Sequence, residues 1–275
     1  MEAAFLRVTE TERLYGRTFV TWFAGPGIVR GASPGQFVML RCADLSAKAL
    51  AERPEGPFQG SDLAHDPLLP RPMSIHRVRE RDGGVEFAVL YDVVGRGTEW
   101  LARRRPGDLV YGWGPLGRGF AVGRASRHLL LVAGGIGVAP LVWLAEQEVA
   151  RGRNVTLVAG GRSAEHIFPA RLLPPEVELV VTTEDGSAGR QGLATDAFAE
   201  LLEWADQVFA CGPNAMFEAM ARIVRERRVR RSVQVLLEER MGCGTGICYG
   251  CAVETRKGMR LVCKDGPRFD LRDLW

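Results

Sequence analysis

Short apolar runs separated by turn signals fill the first third of the chain. Phe19–Ala24, Gln36–Cys42 and Val85–Val93 are dense in β-branched and aromatic residues, which is the composition of strands. Gly25-Pro26-Gly27 and Asp82-Gly83-Gly84 punctuate them, as turns require, because glycine and proline supply backbone angles other residues avoid. Several such strands in succession predict an antiparallel barrel or sandwich. Between Lys48 and Leu69 the rhythm breaks. Pro54, Gly56, Pro57, Gly60 and Pro67 fall there without periodicity, so the stretch reads as a surface loop or insertion.

From about Arg127 the pattern changes. The apolar run His128–Ala133 meets Gly134-Gly135-Ile136-Gly137, and Val138–Ala150 has the length and spacing of a helix. Strands are predicted at Asn154–Gly160, Val177–Thr183 and Gln207–Cys211. Helical stretches fall near Phe168–Leu173, Gly192–Trp204 and Ala215–Arg227. Strands that alternate with helices imply a parallel α/β sheet. A last strand, Ser232–Leu237, leads into a cysteine-rich ending. The expected division is therefore a barrel over 1–123, an α/β domain over 124–230 and a small terminal subdomain over 231–275. No internal repeat interrupts it.

Composition narrows the classes of function. At 275 residues with 46% hydrophobic and 25% charged residues, the chain is an ordinary globular protein. A net charge of +3 gives no ground for a nucleic-acid partner. No run of eighteen apolar residues predicts a membrane span, and Met1–Val8 has no basic stretch followed by an apolar one. Six cysteines are too few for a disulfide scaffold, and free thiols point to the cytoplasm.

Four of those cysteines carry the clearest chemistry. Cys243, Cys248 and Cys251 follow the spacing C-x4-C-x2-C, and Cys263 stands alone after eleven intervening residues. That is the ligand pattern of a plant-type [2Fe–2S] cluster, a one-electron carrier. Glycines 242, 244, 246 and 250 suit a tight loop whose backbone N–H groups approach the sulfurs. Structural zinc is the rival reading, but zinc sites usually take their four thiolates as two short pairs on two knuckles.

Two further motifs are weaker alone. Gly134–Pro140 joins the first strand and first helix of the α/β part, where a helix N-terminus can hold a pyrophosphate, although it is not the G-x-G-x-x-G fingerprint. In the β-rich part, Arg71 and Ser74 of Arg71-Pro72-Met73-Ser74 can bind a phosphate and a flavin-ring atom. Gly95-Arg96-Gly97-Thr98 can offer backbone N–H groups to the same phosphates. Without context these two are a charged strand start and a hairpin turn.

Taken in order, Arg71–Ser74, Gly95–Thr98, Gly134–Pro140 and Cys211-Gly212-Pro213-Asn214 resemble the ferredoxin reductase-like flavoproteins. The ending Glu238–Cys251, followed by Val262-Cys263-Lys264-Asp265-Gly266-Pro267, resembles the electron transfer subunits of type B dihydroorotate dehydrogenases. The resemblance implies an antiparallel FAD-binding barrel, a parallel-sheet NAD-binding domain and a C-terminal [2Fe–2S] subdomain. It implies FAD contacts from Arg71, Pro72, Met73, Ser74, Leu90, Tyr91, Asp92, Gly97 and Thr98, and nucleotide contacts at Gly134, Gly135, Gly137 and Pro140. A separate FMN-containing catalytic subunit would oxidise dihydroorotate in a heterotetramer. Electrons would pass singly through the cluster to FAD and leave as hydride to NAD+, in pyrimidine biosynthesis.

Other readings stay open at this point. Related chains feed a sulfite reductase, a hydrogenase or a ferredoxin:NADP oxidoreductase, and a zinc-stapled protein without redox activity would keep the fold. Cys211 ends a strand at the sheet edge where ligands of such folds bind; it is read both as a nicotinamide-pocket residue and as a buried structural thiol. Cys42 is read as core. His65, His76, His128 and His166 form no cluster and receive no catalytic role. Glu184-Asp185 is read both as a turn and as a contact to cofactor hydroxyls, and Arg162-Ser163 can face an adenosine phosphate, so NAD rather than NADP rests on the resemblance alone.

Overall fold

The computed structural model describes residues 1–25, 27–43, 68–81 and 84–275. The expected loop from residue 48 lies outside the described residues as far as 67, as do parts of the two expected turns at 26 and 82–83.

Six strands close into an antiparallel barrel. They are β1 (Glu2–Tyr15), β2 (Thr18–Ala24), β3 (Phe37–Arg41), β4 (Arg71–Arg81), β5 (Gly84–Asp92) and β6 (Leu109–Leu116), in the spatial order β1-β2-β5-β4-β3-β6. Alternation explains the closure: Phe87, Val89 and Tyr91 of β5 face the barrel interior, while Ala88 and Leu90 face outward onto the second domain. The hairpin turn expected at Gly95–Thr98 is instead the start of a short helix, α1 (Arg96–Ala102). The Thr98 hydroxyl explains it, because it accepts from the Val94 and Gly95 N–H groups at 3.0 and 3.2 Å and so closes the first turn.

The second domain is a seven-stranded sheet. Its strands are β7 (His128–Gly134), β8 (Asn154–Gly161), β9 (Glu178–Thr183), β10 (Arg190–Gln191), β11 (Gln207–Cys211), β12 (Val233–Leu236) and β15 (Arg268–Asp270), in the order β10-β9-β8-β7-β11-β12-β15. All pairs are parallel except the last, where β15 runs against β12. The strands read as continuous apolar runs because both faces are covered. Leu129, Leu131 and Ala133 pack toward α2 (Val138–Ala150); Leu130 and Val132 pack toward α3 (Ala194–Leu201) and α4 (Asn214–Glu226). Val233–Leu236, which the expected division places in the terminal segment, is thus a strand of this sheet.

The cysteine lobe is an excursion between two neighbouring strands. The chain leaves the sheet after β12 and forms the thiol loop and the hairpin β13 (Ala252–Thr255) and β14 (Gly258–Leu261). It returns as β15 and α5 (Leu271–Leu274). Trp113 Nε1 donates to the Cys243 carbonyl at 3.2 Å, so the loop also rests on the barrel.

Barrel and sheet meet along a seam of β4 against α2. Arg77 pairs with Glu146 at 2.6 Å, and the fully buried His76 ring lies 2.8 Å, through Nδ1, from the Ala139 carbonyl oxygen. A carbonyl only accepts, so Nδ1 carries the proton and Nε2 is a bare, buried acceptor beside the Phe168 ring. Burial, and after it the Arg77 charge, push the His76 pKa from 6.5 down to about 3. A group lowered in this way gives its full stabilisation above its unfolded value, and that stabilisation is lost as pH falls. Between about pH 6.5 and 3 the unfolded chain holds one more proton than the folded one at this site. The slope it contributes approaches about 1.4 kcal/mol per pH unit. Denaturant unfolding across this window should show His76→Asn with a shallower loss of stability on acidification than the natural chain. Equal slopes would mean that His76 titrates in the folded state.

Candidate functional site

A cavity of about 1080 Å³ opens where barrel, sheet and cysteine lobe meet. It lies just above the roughly 300–1,000 Å³ typical of sites for drug-sized ligands. Its walls bring together most of the residues singled out from the sequence. Arg71, Pro72, Met73, Ser74, Leu90, Tyr91, Asp92 and Thr98 line it from the barrel, Cys211 from the sheet edge and Cys248 from the thiol loop.

The strand pairing explains the barrel side. Strands β3 and β4 are in register with Phe37 opposite Ser74 and Leu40 opposite Arg71, which displays the Arg71–Ser74 run along one rim. Arg71 Nη1 donates to the Leu69 carbonyl at 2.6 Å, and the guanidinium packs against Gly97. A Cβ at Gly97 would stand 2.7 Å from Arg71 Nε, so glycine there keeps the cation at the rim. Tyr91 and Asp92 are held from behind, the tyrosine hydroxyl by Thr21 at 2.9 Å and the carboxylate by Thr18 at 2.5 Å. A fixed cation and a hydroxyl at Ser74 are donors, and the apolar Pro72 and Met73 between them are a surface, that suit a flavin nucleotide.

On the sheet side the strand order reverses at β7 and β11, and ligands of open α/β folds bind in the crevice at such a switch point. The glycines divide by role. Gly134 and Gly137 serve packing: a Cβ on Gly134 would meet Pro213 Cδ at 2.7 Å, and one on Gly137 the Cys211 carbonyl oxygen at 2.1 Å. Gly135, with φ of +54°, has nothing within 4 Å and is open to a ligand. Pro140 is buried in the first turn of α2, while Ile136 and Ala139 are the residues of this motif that line the cavity.

Sequence reasoning missed Glu238. Strands β11 and β12 are parallel neighbours with Cys211 opposite Leu236, so a residue just past β12 faces the end of β11. The Cys211 thiol donates to Glu238 Oε1 at 3.7 Å. Burial, then the Glu238 charge, holds the Cys211 thiol well above its usual pKa. Desolvation raises the Glu238 carboxyl as well, opposed by the Cys211 hydrogen bond and aided by the Asp92 charge, although the side chain keeps contact with solvent. An acid two residues beyond a strand at the same edge as Cys211 is the signal that could have found it.

All six cysteines of the chain are free; of the four in the cysteine lobe, Cys251 and Cys263 are buried, Cys243 is half-buried and Cys248 is exposed. Cys263 N–H donates to Cys251 Sγ at 3.4 Å, and Thr245 N–H to Cys243 Sγ at the same distance. Burial opposes ionisation of Cys243, but backbone N–H groups of Thr245, Cys248 and Ile247 outweigh it and bring its pKa down to about 6. Among the described residues no three cysteine, histidine or acidic side chains converge on one metal-ion position. Four thiols with N–H groups turned toward sulfur fit a two-iron cluster, which divides its thiolates between two irons.

Comparison with known proteins agrees. Residues 238–274 match the family described as the iron-sulfur cluster binding domain of dihydroorotate dehydrogenase B. Over its whole length, the chain is similar in structure to an NADH-dependent reduced ferredoxin-NADP oxidoreductase studied for flavin-based electron bifurcation. That likeness has a TM-score of 0.79 and 28% identity, covering 99% of this chain and 90% of the other. The flavohem-like FAD/NAD binding domain of a Vibrio cholerae nitric oxide dioxygenase shares the fold at TM-score 0.62 and 18% identity, covering 84% and 97%. Barrel, parallel sheet and the cleft between them define a ferredoxin reductase-like flavoprotein with an iron–sulfur lobe.

The chain is 37% identical over 259 residues to the dihydroorotate dehydrogenase B (NAD(+)) electron transfer subunit of Desulforamulus reducens, covering 92% of this chain and 90% of the relative. It is 37% identical over 259 residues to that of Bacillus caldolyticus, covering 92% and 91%. It belongs to the family of dihydroorotate dehydrogenase B electron transfer subunits.

Proposed function

We propose that this chain passes electrons from an FMN-containing dihydroorotate dehydrogenase catalytic subunit, through a [2Fe–2S] cluster and FAD, to NAD+ in pyrimidine (UMP) biosynthesis. The observation that carries this is the single cleft lined by Arg71–Ser74 of the barrel, Cys211 and Asn214 of the sheet edge and Cys248 of the thiol loop. A flavin bound there exchanges a hydride with nicotinamide and single electrons with an iron–sulfur cluster.

The chain's own residues bind, orient and enclose. Arg71 offers its guanidinium to a phosphate and Ser74 its hydroxyl to the flavin ring, with Gly97 leaving room for the cation. Gly135 and the start of α2 receive the nucleotide's pyrophosphate. Cys211 and Glu238 bound the nicotinamide side. The Glu238 carboxyl accepts from the Cys211 thiol and so fixes the orientation of that side chain at the cleft. Cys243, Cys248, Cys251 and Cys263 hold the two irons.

The catalytic subunit docks over the thiol loop. Beside the exposed Cys248, Ile247 and Tyr249 are 79% and 70% exposed, an apolar tip at the place where an electron must enter. Two copies of each chain form the complex, in the cytoplasm, where thiolates stay reduced. No described helix is long and apolar enough to cross a membrane.

Co-expression with the catalytic subunit, followed by assay of dihydroorotate-dependent NAD+ reduction, tests the proposal. Activity that needs both chains is expected. A chain that carries FAD and iron yet forms no complex and no activity would move the assignment to a reductase serving another partner.

A further inference from the structure

The barrel grips the thiol loop at its first cysteine. Trp113, on β6, donates its indole N–H to the Cys243 carbonyl at 3.2 Å. The next residue, Gly244, turns with φ of +71°, and a Cβ there would stand 2.6 Å from Met39 Cγ and 3.0 Å from Leu116 Cδ1. The loop therefore lies directly on β3 and β6, and only glycine fits between.

These contacts belong to one row of the barrel. Trp113 faces Met39 across the β6–β3 ladder, and Met39 faces Pro72 across the β3–β4 ladder. Neighbouring strands are about 4.8 Å apart, so the row Trp113–Met39–Pro72 is short. Met39 is fully buried and Trp113 half-buried, with the Tyr111 ring 6.1 Å away, so the row has little room to yield. One end holds the peptide of a thiolate residue; the other is the flavin motif. Pro72 and Cys248 line the same cavity.

We propose that Trp113 is a positioning residue for electron transfer, which fixes the Cys243 peptide against the flavin-binding strand and, through its N–H, favours the more reduced state of the group that Cys243 holds. This rests on the functional reading above. The indole dipole satisfies the carbonyl of the ligand's own residue, and the Thr245 N–H reaches the Cys243 sulfur at 3.4 Å. Hydrogen bonds just outside a metal's ligands orient them and tune its potential. Packing alone would be served by any large apolar ring.

The test compares Trp113→Phe, which keeps a ring and loses the N–H, with Trp113→His, which keeps a ring N–H. The iron-loaded full chain is titrated potentiometrically while the electron paramagnetic resonance of the reduced cluster is followed, with iron and FAD content measured. Loss of one hydrogen bond is expected to shift the reduced-to-oxidised ratio about fivefold toward the oxidised form. At about 59 mV per tenfold for one electron, that is about 40 mV more negative. An altered resonance or faster loss of iron, with FAD content kept and with partial recovery in Trp113→His, supports the proposal too. A Trp113→Phe chain that matches the natural one in potential, resonance and iron retention overturns it and leaves the functional reading intact. A natural chain that takes up no iron overturns both.

Discussion

Replacing Cys251 by serine is expected to abolish dihydroorotate-dependent NAD+ reduction while the chain keeps its FAD. Cys251 is 2% exposed, and its sulfur accepts from the Cys263 N–H, so it lies on the inner side of the lobe where no other thiol can take its place. Cys42 and Cys211, the two cysteines outside the lobe, are themselves buried in the barrel and at the sheet edge. A serine oxygen is a harder donor than a thiolate and stays protonated, so it is a poor iron ligand. Iron content should fall, and the coupled reaction should drop by about 100-fold or more, since loss of a ligand exceeds the 10- to 100-fold cost of losing a supporting contact. NADH oxidation by a two-electron dye needs only the flavin and the nucleotide edge, and should stay within about twofold. A variant without its cluster that still couples dihydroorotate to NAD+ at full rate would remove the thiol loop from the route.

The parts of this fold that local sequence displays are those whose local pattern and tertiary role agree. Val138–Ala150 was readable to both ends because a glycine turn precedes it and a buried apolar face runs through it. Strands β7, β8 and β11 were readable as apolar runs because helices cover both of their faces. The first barrel strand is the counter-case. Glu2–Tyr15 buries Leu6 and Val8 but turns Glu2, Arg7 and Glu12 to solvent, so its average polarity hides the alternation. Strand β4 is similar, with Met73 and Ile75 buried among arginines.

What the sequence could not display is where the chain returns. Strand β15 pairs with β12 after an excursion of about thirty residues, and nothing near Arg268 announces that partner. That return is why the thiol loop, the Glu238 carboxyl and the sheet edge form one structure: Leu237 N–H donates to the Pro267 carbonyl at 2.9 Å, one residue from Glu238 and four from Cys263. The cysteine spacing and the Arg71–Ser74 run were legible as motifs because they are local in sequence, and the fold sets Cys248 and Arg71–Ser74 on one cavity. Glu238 and Trp113 were not, because their roles arise from strand neighbours distant in the chain.

Gly137→Ala is expected to have the other large effect, confined to the nucleotide side. Gly137 has φ −58° and ψ −11°, angles that any residue adopts, so backbone freedom is not what requires glycine. Space is. A Cβ would stand 2.1 Å from the Cys211 oxygen, 2.4 Å from its carbonyl carbon and 2.9 Å from Gly212 N. Those are backbone atoms at the end of a strand paired on both sides, so the Gly134–Gly137 turn must lift instead. Overpacking of this kind costs about 1–3 kcal/mol. Cys211 and Asn214 border the cavity just beyond the contact, so the displacement falls where the nucleotide enters. At about 1.4 kcal/mol per tenfold, the KM for NADH should rise about tenfold, with FAD and iron content unchanged because barrel and lobe stay in place. Steady-state kinetics with NADH and a dye, beside thermal unfolding, measure both parts. A destabilised Gly137→Ala chain whose KM is unchanged would place the nucleotide outside this crevice.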